Sequence, residues 1–146
     1  MFIHFIGIGG IGVSALAKYY LSQGAKVSGS DLGSSEITEE LKKDGVQIYI
    51  GKHKKSFLPK DAKIVIYTAA TPKDNPELKE AKSRKLKVQS YPEAVGELTE
   101  KYKTITVSGA HGKSTTTALT ALVLEEGYFD PTVIVGTKIK EFGYSN

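Results

Sequence analysis

The chain has no cysteine and no tryptophan, and Met1 is its only methionine. Disulfides and thiolate metal sites are therefore excluded, and thiols give no clue to the redox compartment. Arginine is nearly absent as well: Arg84 stands alone, so lysine carries the net charge of +4. A nucleic-acid surface gathers basic residues on one face with arginine among them, whereas these lysines are spread along the chain and mixed with acids. A mild attraction for anionic ligands follows, and no nucleic-acid partner is expected. Nor is there a long uninterrupted apolar run. The stretch 1–21 lacks a basic start, carries Gly7, Gly9, Gly10 and Gly12 at turn spacing, and includes Lys18, Tyr19 and Tyr20. A strand, turn and helix explain it better than a signal or membrane segment, so the expectation is a cytoplasmic protein without a membrane partner.

Its 146 residues, 40% hydrophobic and 25% charged, suit one soluble domain, or one small domain with part of another. Strands are predicted at 2–7, 26–30, 46–50, 63–67 and 87–89. Helices are predicted at 12–22, 35–43, 76–85 and 92–99. Ser34 or Ser35 caps the second helix, Asn75 caps the third ahead of Pro76, and Gly24 and Gly45 serve as stops. This alternation implies an α/β fold, a Rossmann-like and mostly parallel sheet with flanking helices. Charge density rises over 100–103, which places a domain boundary there. Beyond it a strand at 104–107, a glycine turn, a helix through 118–124 and a strand at 132–135 read as the first βαβ piece of a larger, P-loop-type domain. About 45 residues are too few to close a core around a parallel sheet. The chain therefore reads as a fragment, with no continuing pattern over 136–146.

Two glycine loops carry the chemistry. Gly7-Ile8-Gly9-Gly10-Ile11-Gly12 follows a strand and opens a helix, fitting G-x-G-x-x-G. Gly7 permits a tight turn, Gly9 the close approach of a pyrophosphate, and Gly12 close helix–strand packing. Asp31 ends the second strand about 20 residues beyond Gly12, where an acid reaches a ribose hydroxyl. NAD is the obvious ligand, but a UDP-sugar also has a ribose and a diphosphate, and the motif does not choose. The second loop is Gly109-Ala110-His111-Gly112-Lys113-Ser114-Thr115-Thr116-Thr117. Backbone N–H groups and a helix N-terminus cradle phosphate oxygens there, Lys113 adds positive charge, and a hydroxyl can ligate Mg²⁺. Only Ala110 and His111 separate the first glycine from Gly112-Lys113, where the common P-loop has four residues. An NAD enzyme rarely needs this second loop; an enzyme holding a nucleotide-sugar and ATP needs both.

At these residues the chain resembles the Mur ligases of peptidoglycan synthesis. The resemblance rests on His4-Phe5-Ile6-Gly7-Ile8-Gly9-Gly10-Ile11-Gly12-Val13-Ser14, on Ser28-Gly29-Ser30-Asp31, and on Asp74-Asn75-Pro76-Glu77 after Thr68-Ala69-Ala70. It rests also on the shortened loop ending Gly112-Lys113-Ser114-Thr115-Thr116. It runs in order from residue 2 to about 136, and is closest to the alanine-adding type. It implies a UDP-sugar-binding domain over 1–100 and the start of a truncated central ATP-binding domain over 101–146. It further implies a ligase with UDP-N-acetylmuramate, L-alanine and ATP as partners and Mg²⁺ as cofactor, joining the first two through an acyl phosphate. By resemblance Gly7, Gly9, Gly10, Ile11 and Gly12 hold the UDP diphosphate, Asp31 meets the uridine end, and Thr68 and Asn75 line the same site. Gly109, His111, Gly112, Lys113, Ser114 and Thr115 hold ATP, Ser114 or Thr115 binds Mg²⁺, and Lys113 is catalytic. The family's acidic and histidine metal ligands have no counterpart in this sequence, and Gly136-Thr137 replaces its paired glycines. The fragment alone is not expected to turn over.

Three other readings stay open: a tripeptide-recycling ligase of the same family, an NAD-binding module, and a pure nucleotide-sugar binder. The recycling type tends to carry a cysteine in the first loop, which this chain lacks. Among single residues, His4 reads as a strand-core histidine and His53, between Lys52 and Lys54, as part of a solvated basic loop, with stacking near the uracil as the alternative. His111 is evenly a phosphate donor or a loop-shaping residue. Asp44 and Asp61 read as helix-end and turn acids.

Overall fold

A computed structural model describes residues 1–140. Its sheet has five parallel strands: β1 (Phe2–Ile6), β2 (Lys26–Asp31), β3 (Gln47–Ile50), β4 (Ile64–Tyr67) and β5 (Lys87–Ser90), in the order β3-β2-β1-β4-β5. Every residue of β1 is buried. Its near-continuous apolar run suits the central strand of a sheet covered on both faces.

Side chains alternate across that sheet. Ile3 and Phe5 join Val27 and Ile66 on one face, covered by α1 (Ile11–Ser22), α2 (Glu36–Lys43) and α4 (Tyr91–Thr99) through Leu16, Leu41, Ala94 and Leu98. Ile6 and Val65 lie on the other, covered by α3 (Pro76–Ser83) and a 3₁₀ turn at Lys55–Phe57, with Leu58, Leu78 and Ala81. Full burial of a Leu or Phe is worth about 1.5–3 kcal/mol, so these two clusters supply the main drive to fold.

Local sequence sets the helix starts. Ser35 and Thr38 form a reciprocal capping box on α2, and Ser90 and Glu93 form another on α4. Asn75 caps α3 by accepting the Glu77 and Leu78 N–H groups, with Pro76 at the first helical position.

The expected strands at 104–107 and 132–135 do not form ladders. Residues 104–107 carry no strand pairing, and the second phosphate loop enters α5 (Lys113–Glu126) from irregular backbone. A strand exists only through a partner's hydrogen bonds, and no neighbour among the described residues supplies them. Only Ala121 of α5 is buried, while Ile105, Leu119, Val123, Tyr128 and Phe129 are exposed. The segment after α5 does return to the first unit. Ile134 packs on the α1/α2/α4 cluster, Val135 and Ile139 are buried, and Lys138 pairs with Glu36 and Glu40 of α2 at 3.1 and 2.9 Å. Of the expected second unit, residues 141–146 lie outside the described part.

Candidate nucleotide sites

In this strand order the crossover connections diverge between β1 and β4, and ligands of such sheets bind at the carboxyl ends of those strands. The first glycine loop leaves β1 at that point. Gly7 adopts φ 78°, donates its N–H to the Ser30 carbonyl at 2.8 Å, and accepts the Gly10 N–H at 3.1 Å. A side chain on Gly7 would collide with the Thr68 methyl at the end of β4, so the two lips of the crevice touch. Gly9 lies beside Asp31, whose Oδ2 accepts the Gly9 N–H at 2.8 Å. Gly10 is the N-cap of α1, and its carbonyl accepts the Ser14 N–H. Ile11, the first residue of α1, is exposed.

Gly7, Gly9, Gly10, Ile11, Gly12, Asp31 and Thr68 thus come together at the carboxyl end of the sheet, beyond its three inner strands. Asn75 is buried at the start of α3, its side-chain oxygen committed to the helix cap. Gly12 is required for a reason other than strand packing. A Cβ there would lie 2.7 Å from the Tyr91 hydroxyl, so it is α4 that approaches the loop helix. Burial pushes the Tyr91 hydroxyl upward in pKa.

In the second loop Gly112 takes φ 74° and caps α5, a left-handed residue ahead of right-handed ones that turns successive N–H groups into one concavity. Lys113 folds back over that loop, donating to the Gly109 and Ala110 carbonyls at 2.7 and 3.2 Å. The hydroxyls of Thr117 and Thr120 are spent on helix carbonyls, while those of Ser114 and Thr115 make no hydrogen bond among the described residues. These two free hydroxyls at a helix N-terminus beside Lys113 fit a phosphate-bound Mg²⁺. No group of three acidic, histidine or cysteine side chains could hold a metal among the described residues. His111 is exposed in this loop.

The residues that sequence reasoning missed lie under the first loop. Glu77 is fully buried. Its Oε2 accepts from His4 Nε2 at 2.7 Å, and its Oε1 from Ser30 Oγ at 2.9 Å and His53 Nδ1 at 2.6 Å. His4 Nδ1 meets Ser28 Oγ at 2.8 Å. His4 is a core histidine as expected, but His53 is not on a solvated loop; its ring is drawn into this network. One signal was available: Ser28 and Ser30, two apart on a buried strand, mark a polar stripe on one face.

A five-stranded parallel sheet with a glycine loop at its switch point, followed in the same chain by a second glycine loop that opens a helix, defines the class. Residues 2–103 match the Mur ligase family, catalytic domain. The chain belongs to that family. It is 50% identical over 141 residues to UDP-N-acetylmuramate–L-alanine ligase of Campylobacter jejuni, covering 97% of this chain and 31% of the relative. It is 49% identical over 135 residues to that of Clostridium botulinum, covering 92% and 29%. Among solved structures, UDP-N-acetylmuramate–alanine ligase of Thermotoga maritima superposes with a TM-score of 0.91 at 35% identity, covering 100% of this chain and 34% of that one. A murein peptide ligase of Psychrobacter arcticus gives 0.79 at 28%, covering 88% and 27%. The chain thus spans about a third of the length of the curated relatives it matches.

Proposed function

We propose that this sequence supplies the nucleotide-sugar platform and the phosphate loop of a cytoplasmic, ATP-dependent ligase that joins L-alanine to UDP-N-acetylmuramate. The observation that carries the reading is the pairing of a glycine loop at the switch point of a β3-β2-β1-β4-β5 sheet with the shortened loop Gly109–Ser114. The 50% identity to an alanine-adding relative over 97% of the chain supports the choice of substrate.

On this reading residues 1–100 hold UDP-N-acetylmuramate and 101–146 open the ATP-binding domain. Gly7, Gly9, Gly10, Ile11 and Gly12 bend the backbone around the diphosphate, Asp31 faces the uridine end, and Thr68 and Asn75 line the crevice. Gly109, His111, Gly112, Ser114 and Thr115 surround the ATP phosphates. Lys113 exchanges its carbonyl partners for phosphate oxygens and offsets charge that develops on the transferred group. Bound by Ser114 or Thr115, Mg²⁺ supplies further charge stabilisation. The lactyl carboxylate attacks the γ-phosphorus and ADP departs. The alanine amine then attacks the acyl carbon, phosphate leaves, and a proton is lost from nitrogen.

Calorimetric titration of this chain with UDP-N-acetylmuramate beside NAD tests the first site. Binding of the UDP-sugar alone supports the ligase platform, and binding of NAD alone overturns it.

A further inference from the structure

On the α3 face of the sheet, under the first glycine loop, five polar side chains from four segments meet, all but that of His53 fully buried. They are His4 of β1, Ser28 and Ser30 of β2, Glu77 of α3, and His53 of the loop after β3. Glu77 is fully buried, and a carboxylate shut away from water must be met by donors on both oxygens. His4 meets that need on Oε2 and Ser30 on Oε1. His53 is a further donor on Oε1, so its place is better explained by what the carboxylate does for the ring.

Glu77 fixes that ring with Nδ1 turned inward. The His53 side chain is 13% exposed, and among the described residues its Nε2 has no hydrogen-bond partner. Among the described residues no buried side-chain nitrogen or oxygen lacks a partner, so Nε2 is not shut away from solvent. Ser30 links the ring to the first loop: its hydroxyl lies 3.3 Å from His53 Nδ1, and its carbonyl accepts the Gly7 and Ile8 N–H groups. One residue of β2 therefore joins the imidazole to the turn that would hold a diphosphate.

We propose that His53 is a ligand-binding residue of the first nucleotide site, presenting Nε2 to an oxygen of the nucleoside diphosphate, with Glu77, backed by His4, as its positioning group. The inference rests on the reading of that site given above. An imidazole held between a buried carboxylate and an anionic ligand donates from both nitrogens. The other ionisable groups near it in this arrangement are His4 and Glu77 from the sheet and α3, and the exposed Lys52 and Lys54 on its own loop. The lysines add a field that favours an anion. Holding the ring in advance removes the cost of ordering it when the ligand arrives.

The rival is a purely structural role, in which His53 only ties its loop to the core. Substitutions at His53 in the full-length protein that carries this sequence separate the two. His53→Asn places an amide nitrogen where Nδ1 stands, keeping the inner bond and losing the outer. His53→Gln places one near Nε2, keeping the outer reach and losing the inner.

The expected result for His53→Asn is unfolding close to the wild type, a UDP-N-acetylmuramate KM raised about tenfold or more, and unchanged kcat and ATP KM. His53→Gln unfolds earlier yet retains more UDP-sugar affinity than His53→Asn. Glu77→Gln shifts the same KM, and adding His53→Asn to it costs less than the two separately. Wild-type KM in His53→Asn overturns the proposal. An unsubstituted protein that neither binds nor turns over the UDP-sugar overturns instead the site reading on which it rests.

Discussion

Asp31 and Gly9 are held together by a 2.8 Å hydrogen bond from the Gly9 N–H to Asp31 Oδ2. The acid at the end of β2 therefore shapes the glycine loop as well as facing its crevice. A Cβ on Gly9 would lie 2.9 Å from Asp31 Oδ2 and 3.2 Å from the Thr38 methyl. Asp31 is half-buried and could move only by giving up its bond to Gly9, while Thr38 is fully buried and pinned by the capping box with Ser35.

Gly9→Val is accordingly expected to weaken UDP-N-acetylmuramate binding by about a hundredfold or more, and to cost about 1–3 kcal/mol of stability as overpacking. Calorimetry and thermal unfolding read the two effects separately. Unchanged affinity would count against a diphosphate at this loop.

Gly12 makes a second prediction, about stability alone. Gly12→Ala brings a methyl to 2.7 and 2.8 Å from the hydroxyl and ring of Tyr91, and α4 must shift to admit it. The expected loss is again about 1–3 kcal/mol. In a Tyr91→Leu background the same substitution is expected to cost less, since the obstructing ring is gone. Equal losses in both backgrounds, by denaturant unfolding, would show that Tyr91 is not the constraint.

The alternation of β-branched runs with capped helices made the five-stranded sheet legible, because each element announces itself within a few residues. Asn75-Pro76 at the start of α3 and Gly24 and Gly45 beyond α1 and α2 are local signals of that kind. What did not show is long-range. His4 and Glu77 meet across 73 residues, and His53 was disguised by the lysines on either side of it. Gly12 was assigned to the wrong neighbour because its partner, Tyr91, lies on another helix. The segments 104–107 and 132–135 have strand-like composition without strand pairing, since composition specifies a willingness to pair and the ladder needs a second chain segment.

Lys113 donates only to loop carbonyls here, so its removal leaves no buried partner behind. Lys113→Met is expected to leave folding and UDP-sugar affinity unchanged. In the full-length protein it is expected to lower ATP-dependent turnover by about a thousandfold, the scale on which a charge stabilising a transferring phosphoryl group acts. A kcat within a few-fold of wild type would remove Lys113 from the mechanism.

The Tyr19 and Tyr102 hydroxyls share a hydrogen bond of 2.7 Å, which together with burial pushes the Tyr19 pKa up to about 12. A raised pKa means the folded state holds its proton where the unfolded chain has released it. The contribution is complete below the ordinary tyrosine range, near pH 10, and disappears as pH rises toward 12. Tyr102→Phe should flatten the part of the alkaline stability loss that belongs to this pair, leaving the contributions of Tyr20 and Tyr91, both raised by burial. Superimposable stability curves for the two proteins between pH 9 and 12 would dismiss the pair.

The return of the chain onto α2 pits an ion-pair cluster against an apolar anchor. Lys138 sits between Glu36 and Glu40, with Lys18 3.7 Å from Glu40, and the two carboxylates raise the Lys138 pKa. All of these groups remain open to solvent, Glu36 at 81% exposure, and such pairs are typically worth below about 1 kcal/mol and are screened by salt. Val135 and Ile139 are each 6% exposed, and truncating a buried aliphatic to Ala costs about 2–5 kcal/mol where the site cannot collapse. The apolar anchor should therefore dominate. Ile139→Ala is expected to free this segment to proteolysis and hydrogen exchange, whereas Lys138→Met should do so only slightly and only at low salt. The reverse order of protection would mean that the acidic face of α2, not the core beneath it, holds the second unit to the first.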